Sequence, residues 1–164
     1  MKIGVVSDTH LPGRVQRLPE TLVRGLQGVD LIVHAGDWIH LQVAELLQQI
    51  APVDGVAGNN DGDEIIEKYG RIKIVKAAGF QIGLVHGDGY LKTTEQRARE
   101  AFTESQPDII IFGHSHNPYN QVHDGILLFN PGSPTDKRRQ AQYSFGLIEL
   151  SDHYTAKHIY FSEI

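Results

Sequence analysis

Ile109-Ile110-Ile111-Phe112 is an uninterrupted apolar run that stops at Gly113-His114-Ser115-His116, and no other stretch constrains the fold as tightly. Four consecutive apolar residues read as a strand buried on both faces, which requires a sheet covered on each side. Gly113 lets the backbone turn. The two-residue spacing of His114 and His116 then aims two imidazoles at one small volume. A lone His-x-His on a loop serves equally as a ligand pair or as two solvated side chains, so the reading rests on whether the pattern repeats.

It repeats four times. Ile3-Gly4-Val5-Val6 leads to Asp8-Thr9-His10, and Leu31-Ile32-Val33 leads through His34 to Gly36-Asp37. The apolar stretch 53–57 leads to Gly58-Asn59-Asn60-Asp61, and Ile82-Gly83-Leu84-Val85 leads to His86-Gly87-Asp88. In open α/β sheets, sites form beyond the carboxyl ends of strands, so five strand ends carrying Asp, His and Asn predict one shared crevice.

The segments between these blocks supply the rest of the fold. Pro19 suits a first helical residue, Leu22, Val23 and Leu26 form an apolar helix face, and Gly28 ends it. A strand over 30–34 is followed by Ile39, Val43, Leu46, Leu47 and Ile50 at helical spacing up to Pro52, so the next strand returns by a parallel crossover. Glycines around 58–62 suggest a calcium loop, but that pattern fails at Ala57 and Lys68, its first and last ligand positions. Segments 71–75 and 80–85, joined through Ala78-Gly79, read as a hairpin. Thr93 and Gln96 have capping-box spacing ahead of Ala98, Ala101 and Phe102, with Pro107 closing that helix. Beyond His116 the pattern is all strand: 118–122, a turn at Asp124-Gly125, 126–129, 143–150 and 154–161. Strand-helix alternation with a β-rich end predicts two packed sheets with helices outside them.

With 164 residues, 40% hydrophobic and 21% charged, the chain is expected to form a single domain over 1–164. It has no cysteine, which excludes disulfides and thiolate chemistry and leaves nitrogen and oxygen as the donors for any metal. The first residues form no signal-peptide core, and nothing approaches transmembrane length, so the expectation is a cytoplasmic protein without a membrane partner. A net charge of −5 with dispersed Lys and Arg gives no basic stripe, and no stable nucleic-acid partner is expected.

Taken together, Asp8-Thr9-His10, Gly36-Asp37, Gly58-Asn59-Asn60-Asp61, His86-Gly87 and Gly113-His114-Ser115-His116 resemble the calcineurin-like metallophosphoesterases, most closely their small bacterial and archaeal phosphodiesterase branch. Asn130-Pro131-Gly132-Ser133 resembles a turn common in that branch. The resemblance implies an α/β fold, a four-layer αββα sandwich of two mixed β-sheets flanked by helices, holding two divalent ions. Carried over position by position, Asp8, His10 and His116 hold the first ion, Asn59, His86 and His114 the second, and Asp37 bridges them. The catalytic assignment falls on Asp37, Asn59 and Asn60. Ions roughly 4 Å apart then share a carboxylate and a hydroxide that attacks phosphorus in line. Two ions give +4, and Asp8, Asp37 and hydroxide remove 3, which leaves a centre near +1 that attracts an anionic ester. A mixed oxygen and nitrogen set suits Mn²⁺, Fe or Zn²⁺ better than Mg²⁺ alone, with Ni²⁺ also in range; Mn²⁺ is the expectation by resemblance.

The implied partner is a small phosphate-ester substrate, and a homodimer is left open. The chain departs from the wider family in placing Asn60 where many members have a histidine after the metal-binding Asn, and Asp88 where many read His-Gly-His. The competing reading is a protein-binding scaffold, because the eukaryotic retromer subunit resembles this fold and its Leu-Pro first loop, echoed at Leu18-Pro19, without catalytic competence. Seven retained ligand residues favour the enzyme. His34 either orients a ligand or is a satisfied core histidine, Trp38 either walls the cleft or packs inside, and Arg138 and Arg139 either reach a phosphate or are solvated. His40, His123, His153 and His158 match no family position.

Overall fold

Alternation along the central strand assembles the layers. In the computed structural model, which describes residues 1–13 and 16–163, Ile109 and Ile111 face one apolar cluster while Ile110 and Phe112 face another. All four are fully buried, as a strand sandwiched between two layers requires.

Five strands form the first sheet. These are β1 (Lys2–Val6), β2 (Leu31–His34), β3 (Val53–Gly55), β9 (Tyr143–Leu150) and β10 (Tyr154–Phe161), in the order β10-β9-β1-β2-β3. β1, β2 and β3 run parallel, and β9 is antiparallel to both β1 and β10. The second sheet contains β4 (Ile72–Ala77), β5 (Phe80–Val85), β6 (Ile109–Ile111), β7 (Tyr119–His123) and β8 (Ile126–Asn130), in the order β4-β5-β6-β8-β7. β5, β6 and β8 are parallel, with β4 and β7 as antiparallel edges.

Three helices, α1 (Glu20–Gly25), α2 (Gln42–Gln48) and α3 (Asp63–Tyr69), cover the outer face of the first sheet through Leu22, Val43, Leu47 and Ile65, which pack with Val6 and Ile32. A second cluster lies between the sheets, where Ile3, Val5 and Val33 meet Ile82, Leu84, Ile109, Ile111, Leu127 and Phe129. Helix α4 (Thr94–Glu100) covers the outer face of the second sheet, with Ala98 and Phe102 against Ile110, Phe112 and Leu128. The result is the expected αββα sandwich of two mixed sheets. Among the described residues, no helix is long and apolar enough to cross a membrane.

Local signals held where they were chemical. Thr93 and Gln96 form the reciprocal capping box at the start of α4. Ala78-Gly79 and Asp124-Gly125 each place two consecutive residues at positive φ, as a tight hairpin turn demands. Elsewhere the boundaries shift. Pro19 is the residue before α1 rather than its first, and α4 ends at Glu100, well before Pro107. Helix α2 starts at Gln42 and leaves Ile39 outside it; Ile39 adopts φ +78 and its amide donates to Asp61 at 2.8 Å. Helix α3 is an addition to the expected elements, hidden behind the glycine-rich segment that precedes it.

Candidate metal centre

β1, β2 and β3 are parallel to one another, as are β5, β6 and β8, and contacts of Asp8 and Asp37 with His86 and His116 show that the loops at the carboxyl ends of both sets meet at one end of the sandwich. There Asp8 and His10 follow β1, Asp37 follows β2, Asn59 and Asn60 follow β3, His86 follows β5, and His114 and His116 follow β6. Two donor groups form, Asp8 with His10 and His116, and Asp8 with Asp37 and His86. In the first, His116 Nε2 lies 3.4 Å and His10 Nε2 3.8 Å from Asp8 Oδ1, and the two imidazole nitrogens are 3.2 Å apart. Donors about 2.1 Å from one ion at tetrahedral angles stand roughly 3.4 Å from each other, so the spacing suits a shared ion. In the second, His86 Nε2 is 3.8 Å from Asp8 Oδ1 and 3.4 Å from Asp37 Oδ2. Asp37 Oδ2 also lies 3.5 Å from His10 Nε2, so this carboxylate reaches both groups. Asn59 and His114 sit further out, Oδ1 to Nδ1 at 3.1 Å, with the His114 ring edge-on to His86.

Two atoms argue for an ion directly. Asp8 Oδ1 and His86 Nε2 are buried without a hydrogen-bond partner. The 3.4 Å approach of His86 to Asp37 is an ion-pair distance, not a hydrogen bond. Leaving buried polar atoms unsatisfied is costly, and a cation between them satisfies both. The other Asp8 oxygen is occupied, accepting from Ser7 Oγ at 2.6 Å and His114 N at 3.0 Å. Both Asp37 oxygens accept from Asn60, Oδ1 from its backbone N–H at 2.9 Å and Oδ2 from its side-chain amide at 2.7 Å.

The backbone around these donors is strained. Asp8, His10, Asp37, His114 and His116 all have φ between +45° and +65°, a region that costs a non-glycine residue about 1–3 kcal/mol and persists only where neighbours impose it. Asp8 N donates to Gly36 O at 2.9 Å and His10 N to Asp37 O at 3.0 Å. Close approach also dictates glycine at two points. A Cβ on Gly58 would fall 2.2 Å from Asp37 Oδ1, and one on Gly113 would fall 2.7 Å from Asp8 Oδ2.

Residues without a predicted role hold this geometry. Asp61 accepts the backbone N–H groups of Asp37, Ile39 and Gly58 at 2.7–2.9 Å. Asn130 donates to Gly113 O at 2.7 Å, Ser133 Oγ to Asp8 O at 2.8 Å, and Thr135 Oγ1 to Thr9 O at 2.6 Å. His86 Nδ1 donates to Ala35 O and His116 Nδ1 to Asp136 O, which turns both Nε2 atoms toward the carboxylates. Asp61 and Asn130 stood inside quoted motif blocks, so their polarity beside a strand end was the available signal. His34 proves a core histidine: its Nδ1 accepts from Gly36 N, its Nε2 bonds Thr9 Oγ1, and its ring stacks on Trp38 at 3.8 Å. Trp38 is fully buried between His34 and Tyr69 and walls no cleft. His158 stacks on Phe129 and bonds Asn130 O.

Burial lowers the basicity of His10, His114 and His116, which keeps them as the neutral imidazoles that ligate metals. Burial pushes the Asp8 carboxyl up against the opposing pull of His86 and Ser7. For Asp37, burial is outweighed by His86 and the two Asn60 donors, which hold the carboxyl below its usual range. Burial also pulls His86 down, but Asp37 and Asp8 overcome it and push it up to about 9.

His86 is therefore an imidazolium at neutral pH in the metal-free chain. Folding raises its pKa from about 6.5, so its ion pairs contribute fully below that value and are lost as pH rises through about 9. Metal-free protein should lose stability on the order of 3 kcal/mol across that window. Urea unfolding of EDTA-treated protein at pH 6.5 and 9 measures it, and a flat profile would remove the imidazolium.

Known proteins share the domain and the architecture. The calcineurin-like phosphoesterase superfamily domain matches residues 1–153. A probable metallophosphoesterase of Methanothermobacter thermautotrophicus is 38% identical over 138 residues, spanning 84% of this chain and 80% of that protein. A phosphodiesterase of Methanocaldococcus jannaschii is 28% identical over 150 residues, spanning 80% of this chain and 83% of its own length. Among solved structures, a Vps29 variant from Entamoeba histolytica matches with a TM-score of 0.80 at 22% identity, covering 99% of this chain and 100% of that one, which shows a common fold. Family membership implies divalent metal ions, and the donor chemistry of the centre fits them. From its five motif blocks and the domain they span, the chain belongs to the calcineurin-like phosphoesterase superfamily.

Proposed function

We propose that this chain is a metal-dependent phosphodiesterase acting on small phosphate esters at a two-ion centre. The observation that carries the reading is the pair of unpartnered buried atoms, Asp8 Oδ1 and His86 Nε2, inside converging oxygen and nitrogen donors. Asp8, His10 and His116 would hold one ion and His86, Asn59 and His114 the other, with Asp37 reaching both. The oxygen and nitrogen mixture suits Mn²⁺, Fe or Zn²⁺, and resemblance to the family selects Mn²⁺ among them. Bound divalent ions supply Lewis acidity toward a phosphoryl oxygen and a nucleophile from water at neutral pH.

The protein's own residues do the rest. Asn60 holds both oxygens of Asp37 and so fixes the carboxylate that lies between the donor groups. Ala35 and Asp136 fix the tautomers of His86 and His116 through their main-chain carbonyls. With two divalent ions bound, the buried carboxylates of Asp8 and Asp37 would leave local positive charge that would draw an anionic ester to a protein of net charge −5. Protein binding alone does not require seven such side chains, so the intact set favours hydrolysis over a scaffold role.

Dialysis against Mn²⁺ followed by elemental analysis should find about two ions per chain. The loaded protein should turn over an activated aryl phosphodiester in a screen that also includes phosphomonoesters and cyclic nucleotides. Metal content near zero together with no turnover would sink this reading and leave the scaffold.

A further inference from the structure

The loop after β8 runs across the first donor group. Ser133 and Thr135 tie it to the main-chain carbonyls of Asp8 and Thr9, and the Asp136 carbonyl accepts from His116 Nδ1 at 2.5 Å. Two residues further on, Arg138 adopts φ +47, a conformation that persists where contacts impose it. Its N–H donates to Asp136 Oδ1 at 3.3 Å, and its Nε lies 3.8 Å from Asp136 Oδ2. The root of the side chain is thus fixed next to the residue that orients His116. The side chain is 51% exposed, and 3.8 Å is an ion-pair distance, so the guanidinium fork is presented to solvent rather than consumed by Asp136.

A guanidinium rooted beside the residue that orients His116, with its fork open to solvent, is a cation at the edge of the first donor group that an anion can reach. We propose that Arg138 is a substrate-binding residue that takes the non-bridging oxygens of the phosphoryl group as it meets the His10 and His116 side of the centre. The planar fork offers two parallel N–H donors to two phosphate oxygens, a match that the point charge of a lysine lacks. Arg139, the next residue, is exposed and has no hydrogen bond or ion pair among those of the described residues, which makes it the internal control. The inference rests on the phosphodiesterase reading and adds the group that recognises the phosphate.

The test uses Mn²⁺-loaded full-length protein with inorganic phosphate as the probe, read by calorimetry and as competitive inhibition of aryl diester hydrolysis. R138Q should weaken phosphate binding and raise KM roughly 10–100-fold, the range for losing charge-assisted hydrogen bonds. Its Mn²⁺ affinity should stay the same or tighten, because an opposing charge has been removed. R138K should recover part of the loss, and R139Q should match wild type. Phosphate affinity within twofold of wild type in R138Q overturns the assignment. So does a parallel fall in Mn²⁺ affinity, which marks a merely structural loop, or an equal loss in R139Q, which marks diffuse charge. Wild type that hydrolyses beside an unaffected R138Q overturns Arg138 alone; wild type that neither takes up metal nor hydrolyses overturns the phosphodiesterase reading and this assignment together.

Discussion

Asp8→Ala should lower kcat/KM on an aryl phosphodiester by about 10³-fold or more, and His86→Ala should do the same, since Lewis-acid stabilisation of the transition state is worth several kcal/mol. Asp8 Oδ1 stands 3.4–3.8 Å from the Nε2 atoms of His10, His86 and His116, so removing it opens both donor groups at once. The substitution also strips the acceptor for Ser7 Oγ and His114 N, which loosens the loop carrying two further donors. Asp8→Asn separates these effects, because its amide retains an acceptor oxygen and the shape while losing the charge. Metal content measured beside activity should fall in both Asp8 variants, with thermal unfolding as the check that each is folded. A wild-type rate in either Asp8→Ala or His86→Ala would assign the activity to a contaminant.

The strand ends were legible because their chemistry is local. Each apolar run ends at or just before Asp8, Asp37, His86 or His114, and a polar side chain buried at a strand end needs partners, so the residue that stops each run also marks the crevice. Strands β9 and β10 fall on the predicted bounds because each is an eight-residue segment set off by polar turns. What the sequence concealed acts over distance. Ser133 holds the Asp8 carbonyl across 125 residues and Thr135 the Thr9 carbonyl across 126, and no periodicity encodes such a bond. Asp61 was visible as part of a motif, but its role needs three amides brought together by folding. Ile39 fits a helical period in sequence, and tertiary contacts override that fit: Asp61 and a bridge to Leu11 pull it into the loop. Helix α3 spans seven residues, with Ile65 and Tyr69 as its buried face, too short a period to stand out after Gly58-Asn59-Asn60-Asp61-Gly62.

Hydrolysis should depend steeply on the leaving group, with alkyl phosphate esters penalised by roughly 10²–10⁴-fold relative to a family member that has a positioned general acid. The reason is residue 60. An Asn amide can donate a hydrogen bond but cannot deliver a proton at neutral pH, and here that amide is committed to Asp37 Oδ2 at 2.7 Å. Nitrophenolate departs without a proton and is spared, whereas an alkoxide is not. Since Asn60 also fixes Asp37, Asn60→Ala should reduce the rate on every ester alike, by about 10–100-fold, as expected for losing a group that orients a ligand. Asn60→His removes the same amide bond but installs an imidazole that titrates near neutrality, so it should flatten the leaving-group slope whatever its effect on the absolute rate. Measuring kcat/KM across diesters of graded leaving-group pKa, in wild type and both variants, separates a shift of the whole line from a change in its slope. A flat line for wild type, with chemistry rate-limiting, would place a general acid at another side chain and overturn this account of Asn60.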